Sequence, residues 1–277
     1  MYWLGGRRKA VEQRVKVTIE NGVADVRLNR ADKMNALDAD MFTAIAEAGA
    51  RLKQDAGVRA VVLSGEGRAF CAGLDVERMA AVANGGNLLP FAQLDQRTHD
   101  VANFVQHIVW LWREIPAPVI AAIHGIALGG GFQLALGADL RYVAPGTRLG
   151  IIEAKWGLVP DMAGTQLMRH LARDDVVREL TYTARIFSAE EAIGYGFATR
   201  LEADPRAAAL ATAREIAALS PHAVRAAKRL FNQAVASDAE QALTAETMEQ
   251  KALLGSANQI EAVRANLEKR MPNWSNP

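Results

Sequence analysis

Hydrophobic and polar positions change their period along this chain, and the changes divide it into elements. Residues 15–20 (VKVTIE) and 23–28 (VADVRL) alternate apolar and polar side chains across Asn21-Gly22, which predicts two strands joined by a two-residue hairpin turn. Residues 38 to about 55 place Met41, Ile45 and Leu52 on one helical face, with Asp38 as the N-cap. Residues 59–64 (RAVVLS) and 118–124 (PVIAAIH) are short apolar runs bounded by Gly or Pro, the pattern of strands buried on both faces of a parallel sheet. Residues 94–114 predict a helix ended by Pro116 and Pro118. Residues 131–136 predict a helix opened by glycines, and residues 140–143 a further strand. Past about residue 165 the pattern turns helical, with Ala-rich stretches at 206–219, 222–236 and 239–254 and few strand signals. No repeat of fixed period and no low-complexity linker interrupts the chain, and residues 85–89 (GGNLL) are a candidate mobile loop. The expected class is α/β, with a core over residues 1–200 and a helical region over 201–277.

Composition narrows the function classes. Half of the 277 residues are hydrophobic and 23% are charged, enough for a folded core. Thirty-two Lys+Arg against 31 Asp+Glu give a net charge of +1, which argues against nucleic acid as a partner. A single cysteine, Cys71, excludes an internal disulfide framework and a Cys-based zinc site, and fits a reducing compartment. The longest apolar run, residues 117–128, is broken by His124 and Gly125 and falls short of the ~20 residues of a spanning helix. Residues 1–4 are shorter than the roughly 7–15 apolar residues of a secretory signal. A soluble, cytoplasmic protein with no membrane partner is the expectation.

Three segments could carry chemistry. Arg68-Ala69-Phe70-Cys71-Ala72-Gly73-Leu74-Asp75 follows a buried strand, where small residues let backbone approach a ligand. Taken alone, an ordinary strand-to-helix turn is the better reading of it. His124-Gly125-Ile126-Ala127-Leu128-Gly129-Gly130-Gly131-Phe132-Gln133 puts three glycines at a helix start, where unpaired N–H groups can hold an anion or a carbonyl oxygen that becomes one. A ligand site is favoured there over tight helix–strand packing. The stretch from Ile151 to Gly164 sets Glu153 and Asp161 among apolar residues that could raise their pKa values toward acid–base use. A salt bridge from Glu153 to Lys155 or Arg148, with Asp161 as an N-cap, is an equal reading.

The remaining candidates are weaker. Gly65-Glu66-Gly67 lacks the third glycine and the immediate helix of a dinucleotide fingerprint, and no Lys-Ser/Thr follows the glycine run as a P-loop requires. His99 and His107, eight residues apart on the expected helix, are too far apart for a one-turn metal pair. His124 reads as structural, Ser64 lacks a nucleophile elbow, and Trp110 and Trp112 read as packing residues.

In this order, the segments resemble the crotonase, or enoyl-CoA hydratase/isomerase, superfamily. The resemblance runs from about Val15 to the C-terminal helices. It rests on Leu28-Asn29-Arg30…Lys33-Met34-Asn35-Ala36-Leu37, the Ala69–Asp75 and His124–Gly131 motifs, Gly157-Leu158-Val159-Pro160 and Ser220-Pro221. It implies a crotonase-like ββα superhelix, or spiral, with a helical C-terminal trimerisation region and assembly as a homotrimer or a dimer of trimers. By resemblance, the N–H groups of Leu74 and Gly130 form an oxyanion hole for a thioester oxygen. Coenzyme A, as part of an acyl-CoA substrate and not as a cofactor, would then meet Lys33, Ala36, Arg68, Ala69, Phe70, Ala72, Gly73 and Asp75, with Lys228 as a possible contributor. Residues 77–95, with Met79, Leu88, Leu89 and Phe91, would line the acyl pocket.

One departure from the family decides the expected reaction. Family hydratases carry two glutamates; Glu153 matches the second, while Gln133 occupies the first, twenty residues earlier. An amide can hold a water but exchanges no proton at ordinary pH. Asp161 falls where dienoyl-CoA isomerases of the family carry an aspartate. The resemblance therefore favours isomerisation of an enoyl- or dienoyl-CoA, with Glu153 and Asp161 in proton transfer and no metal. The alternatives are an enoyl-CoA hydratase of fatty-acid oxidation and a catalytically impaired acyl-CoA-binding protein. A nucleotide-binding protein using the glycine run ranks below both.

Overall fold

The computed structural model describes residues 14–77, 80, 84–89 and 93–277. β1 (Val15–Glu20) and β2 (Val23–Leu28) form the expected antiparallel hairpin. Asn21 and Gly22, at φ 50° and 80°, supply the two left-handed residues that a tight hairpin turn of matching twist requires. α1 (Ala39–Gln54) follows, and its N-cap Asp38 accepts from Met41 N as expected. β2 then pairs in parallel with β3 (Ala60–Gly65), β3 with β4 (Val119–Ile123), and β4 with β6 (Leu140–Val143). With β9 (Arg200–Leu201) the six-stranded order is β1-β2-β3-β4-β6-β9.

Both faces of this sheet are covered, which explains the unbroken apolar runs of its central strands. One face (Val26, Leu63, Ala121) packs against α1 and α2 (Phe104–Glu114) in the main core. The other (Val62, Ile120, Tyr142) packs against Ala209, Ala213 and Ala217 of α7 (Pro205–Ala217). A second sheet joins β5 (Ile126–Leu128), β7 (Arg148–Gly150) and β8 (Ile186–Ser188). The chain thus visits the large sheet, the small sheet and a helix in turn: β4, β5, then α3 (Gly130–Leu136), then β6 and β7. That is the expected ββα spiral.

Later come α4 (Gly164–Met168), α5 (Asp174–Thr183) and α6 (Ala189–Tyr195). The C-terminal region holds α8 (Pro221–Ala234), α9 (Ala239–Leu253) and α10 (Ala257–Glu268). Two expectations are corrected. The helix expected over 94–114 begins only at Phe104, because Asn103 and Gln106 close a reciprocal capping box there. His99 therefore lies off the helix, its ring stacked on that of His107 at 3.8 Å. The three-residue strands β5, β7 and β8 were not expected, whereas α10 falls within the helical region expected over 201–277. Among the described residues no helix is long and apolar enough to cross a membrane.

Candidate active site

Two short bridges bring the loop after β3 against its neighbours. Leu37 pairs in parallel with Leu74, and Cys71 with Ala127. Leu37 N donates to Gly73 O at 2.8 Å and Asp75 N to Leu37 O at 3.1 Å, so the N–H of Leu74 points to the opposite side. Gly129 caps α3 at φ 50°, a conformation that favours glycine, and the N–H of Gly130 opens the helix. Neither the Leu74 nor the Gly130 N–H finds an acceptor among the described residues. A Cβ on Gly73 would stand 2.5 Å from Leu128 O and 3.6 Å from Gly130 N, so glycine is what lets the two segments meet. Gly131 serves the packing role: a Cβ there would fall 2.3 Å from Cys71 O.

Beside these amides lies a buried carboxylate. Glu153 opens a 3-10 turn, Glu153–Trp156, and a Cβ on Gly129 would meet its Oε1 at 3.4 Å. Gln133 Nε2 donates to Glu153 Oε1 at 2.6 Å. The Gln133 Oε1 accepts from Met162 N at 2.9 Å and Gly164 N at 3.0 Å, which fixes the amide's orientation. Glu153 Oε2 is buried with no partner among the described residues. Burial pushes the Glu153 pKa up and the nearby Asp161 charge adds to this, while the peptide N–H and the Gln133 amide pull it back in part. Asp161 stands at a solvent-open rim, where the protein wall behind it removes some hydration and raises its carboxyl too.

The bland readings of these two acids do not hold. Glu153 makes no ion pair among the described residues, and α4 starts from Ala163 with no side-chain cap. Lys155 instead sits 6.0 Å from the Trp156 ring.

The residues expected around coenzyme A divide into two groups. Lys33, paired with Glu77 at 2.8 Å, and the exposed Arg68 are accessible cations. Ala72 and Gly73 run beside the free amides, and Ala72 N is held by Met34 O. Ala69 and Phe70, at 1% and 0% exposure, put their side chains into the core, which leaves only backbone to face a ligand. Asp75 is corrected, since Arg30 holds it in a buried ion pair; burial raises its pKa, but the Glu77 N–H and Arg30 outweigh this and leave it lowered. Ala36, 7% exposed, can offer backbone, yet its carbonyl already accepts from Arg30. Lys228 is corrected as well, because its Nζ is spent on Trp112 O, Ala117 O and Asp139. Cys71 is fully buried, with its thiol pushed up to about 12 by desolvation, and is no nucleophile.

Leu88 and Leu89 are half-buried, whereas Met79 and Phe91 lie outside the described residues. The residue that sequence reasoning missed is Asn35. Its Oδ1 accepts from Arg30 N, and its Nδ2 donates to Glu66 O and Ala69 O, tying the turn after β2 to the turn after β3. The available signal was the residue type alone, since asparagine tolerates a positive φ such as the 55° found here better than most residues.

Comparison with known proteins agrees with this fold. Residues 18–277 match the family model described as Enoyl-CoA hydratase/isomerase, and the chain belongs to this family within the crotonase superfamily. It is 31% identical over 261 residues to the mitochondrial methylglutaconyl-CoA hydratase of Mus musculus, covering 91% of this chain and 79% of that one. It is 35% identical over 210 residues to the mitochondrial Delta(3,5)-Delta(2,4)-dienoyl-CoA isomerase of Homo sapiens, covering 74% and 64%. It is 30% identical to the 1,2-epoxyphenylacetyl-CoA isomerase of Escherichia coli (strain K12), covering 93% and 96%. Among solved structures, the enoyl-CoA hydratase of Bacillus anthracis superposes with a TM-score of 0.84 at 30% identity, covering 95% of this chain and 99% of that one.

Proposed function

We propose that this enzyme moves a double bond in an enoyl- or dienoyl-CoA through a thioester enolate. The thioester oxygen sits between the N–H groups of Leu74 and Gly130. Glu153 Oε2 removes a proton from the acyl chain, and the electron pair runs to the thioester oxygen. As the enolate collapses, a proton returns further along the chain from Glu153 or from Asp161. Two donors fixed in advance would stabilise the developing charge without reorganisation; losing one such donor typically costs ~10²–10³ in rate.

One observation carries the preference over hydration: Gln133 spends its amide on Glu153, Met162 and Gly164. It neither exchanges a proton nor has a free oxygen for orienting water, so one acid of the two-acid hydration route is missing. The isomerases among the relatives support the reading, while the hydratase of Mus musculus keeps hydration as the alternative to be tested. No cofactor is needed beyond the coenzyme A of the substrate, whose phosphates would meet Lys33 and Arg68. The chain is proposed to assemble as a trimer or a dimer of trimers through its C-terminal helices.

The test is a parallel assay of purified protein on 3-enoyl-, 3,5-dienoyl- and crotonyl-CoA. Turnover of the first or second above the third supports the proposal. Hydration of crotonyl-CoA at ordinary enzyme rates, lost in Gln133→Ala, would replace it with a hydratase. Saturable binding without turnover of any of the three would leave only an acyl-CoA-binding protein.

A further inference from the structure

A cleft of about 690 Å³ opens on the far side of the large sheet from the candidate active site and shares no residue with it. Its floor is the outward face of the first hairpin, with Thr18, Val23, Asp25 and Arg27. α7 supplies Arg206, Leu210 and Arg214 as one wall, and the C-terminal tail supplies Met271, Pro272 and Trp274 as the other. The cleft opens where α7, which packs most closely on β3 and β4, meets the hairpin strand β2 less fully. Its volume lies within the range of small-molecule sites, about 300–1,000 Å³.

The lining is charged in one sense and held in place. Four arginines (Arg27, Arg59, Arg206, Arg214) face two carboxylates (Glu20, Asp25), an excess of two positive charges in a protein whose net charge is +1. Arg206 is anchored by Asp25, Arg27 by Glu66, and Arg59 by Ala217 O and Asn276. The guanidinium of Arg214 has no partner among the described residues. Three polar atoms of its lining residues, Asp25 Oδ1, Arg27 Nε and Arg206 Nε, are buried with no hydrogen-bond partner among the described residues, although Arg27 Nε stands 3.5 Å from Asp25 Oδ2 in an ion pair. Asp25 itself is only 8% exposed. Trp274 is fixed by its indole N–H on Ala218 O beside Leu210 and Pro272, which gives the cleft an apolar end next to its cationic one.

We infer that this cleft is a second binding site, for a small organic anion that joins a phosphate or carboxylate to a flat apolar ring. Arginine suits such anions because its planar fork matches both oxygens, and it also stacks on rings. The anion would meet Arg214 and the Arg206 edge, and the ring would lie toward Trp274. A donor on the ligand would satisfy Asp25 Oδ1.

The test is calorimetric titration of the full-length protein with AMP, benzoate and inorganic phosphate. The expected result is saturable binding of AMP or benzoate, tighter than inorganic phosphate and weakened at least tenfold in Arg214→Gln. Arg68→Ala, at the candidate active site, should leave that binding intact. AMP tighter than benzoate would assign a nucleoside phosphate; the reverse would assign an aromatic carboxylate. Thr18→Glu, which adds a negative charge to the lining from an exposed strand position, should abolish binding of the anion and serves as a second variant should Arg214→Gln fold poorly. Absence of saturable binding by all three probes would overturn the inference. So would binding lost in Arg68→Ala but kept in Arg214→Gln, since the site would then be the coenzyme A site.

Discussion

At the scale of single residues, Gln133 governs the chemistry of Glu153. In the proposed mechanism Glu153 works as the carboxylate; burial lifts its pKa above the ordinary 4.5, so activity should fall as pH drops through that raised value. The Gln133 amide opposes the lift. Gln133→Leu removes the donor, and the acidic limb of the kcat/KM profile is expected to move to higher pH; an unmoved limb would remove Gln133 from this role. The same substitution leaves the Met162 and Gly164 N–H groups unpaired, at about 1–3 kcal/mol each. Urea unfolding should show that loss as a lower midpoint at constant slope. In the sequence, Gln133 was visible as a missing acid, and the expectation was an amide holding water. Its actual partners come from a loop about thirty residues later, which no local pattern connects to it. Asn35 was equally hidden, because its partners are distant carbonyls and not neighbours in a periodic pattern.

At the scale of elements, helix starts marked by a polar cap were legible, as with Asp38 before α1. The start of α2 was misplaced because apolar positions such as Leu94 and Val101 continue a helical face backward, while Asn103 and Gln106 carried the true boundary. The small sheet escaped because its strands are three residues long, too short for a period of two to register. Several contacts hold α8 to the core, among them Arg113 with Asn232 and Arg225 with Val58 O, and those of Lys228 are the most deeply buried. Lys228 of α8 reaches under the sheet to Asp139, Trp112 O and Ala117 O, and burial lowers its pKa against the pull of Asp139. Lys228→Met should destabilise the fold by roughly 3–5 kcal/mol, because it strands a carboxylate whose partner is gone. Adding Asp139→Asn should recover part of that loss, since the stranded charge disappears. Equal stability of wild type and Lys228→Met in denaturant would show that α8 does not depend on the Lys228 contacts.

At the scale of the whole molecule, the ordered set of motifs indicated the spiral core and its helical tail before any contact was known. It also implied that the C-terminal helices carry the assembly, without saying which of their side chains would meet a second copy. α8, α9 and α10 carry Phe231, Leu243, Met248 and Leu267 at 62–79% exposure, more large apolar surface than isolated helices of a monomer usually leave in water. Light scattering behind size exclusion is therefore expected to return three or six times the 29.9 kDa chain mass. A single species of one chain mass would refute the assembly.

The net charge of +1 also acquires a meaning at this scale. With the acyl-CoA proposed above, attraction would be local, from Lys33, Arg68 and the free amides, so KM should rise with ionic strength only modestly. The central claim is that Glu153 moves the proton. It is tested most directly by the steady-state isomerisation rate of Glu153→Gln on 3-enoyl-CoA, with binding of the substrate measured alongside. A fall in kcat of about 10²–10⁴ with substrate binding retained is the predicted result. Full activity in Glu153→Gln would contradict the account.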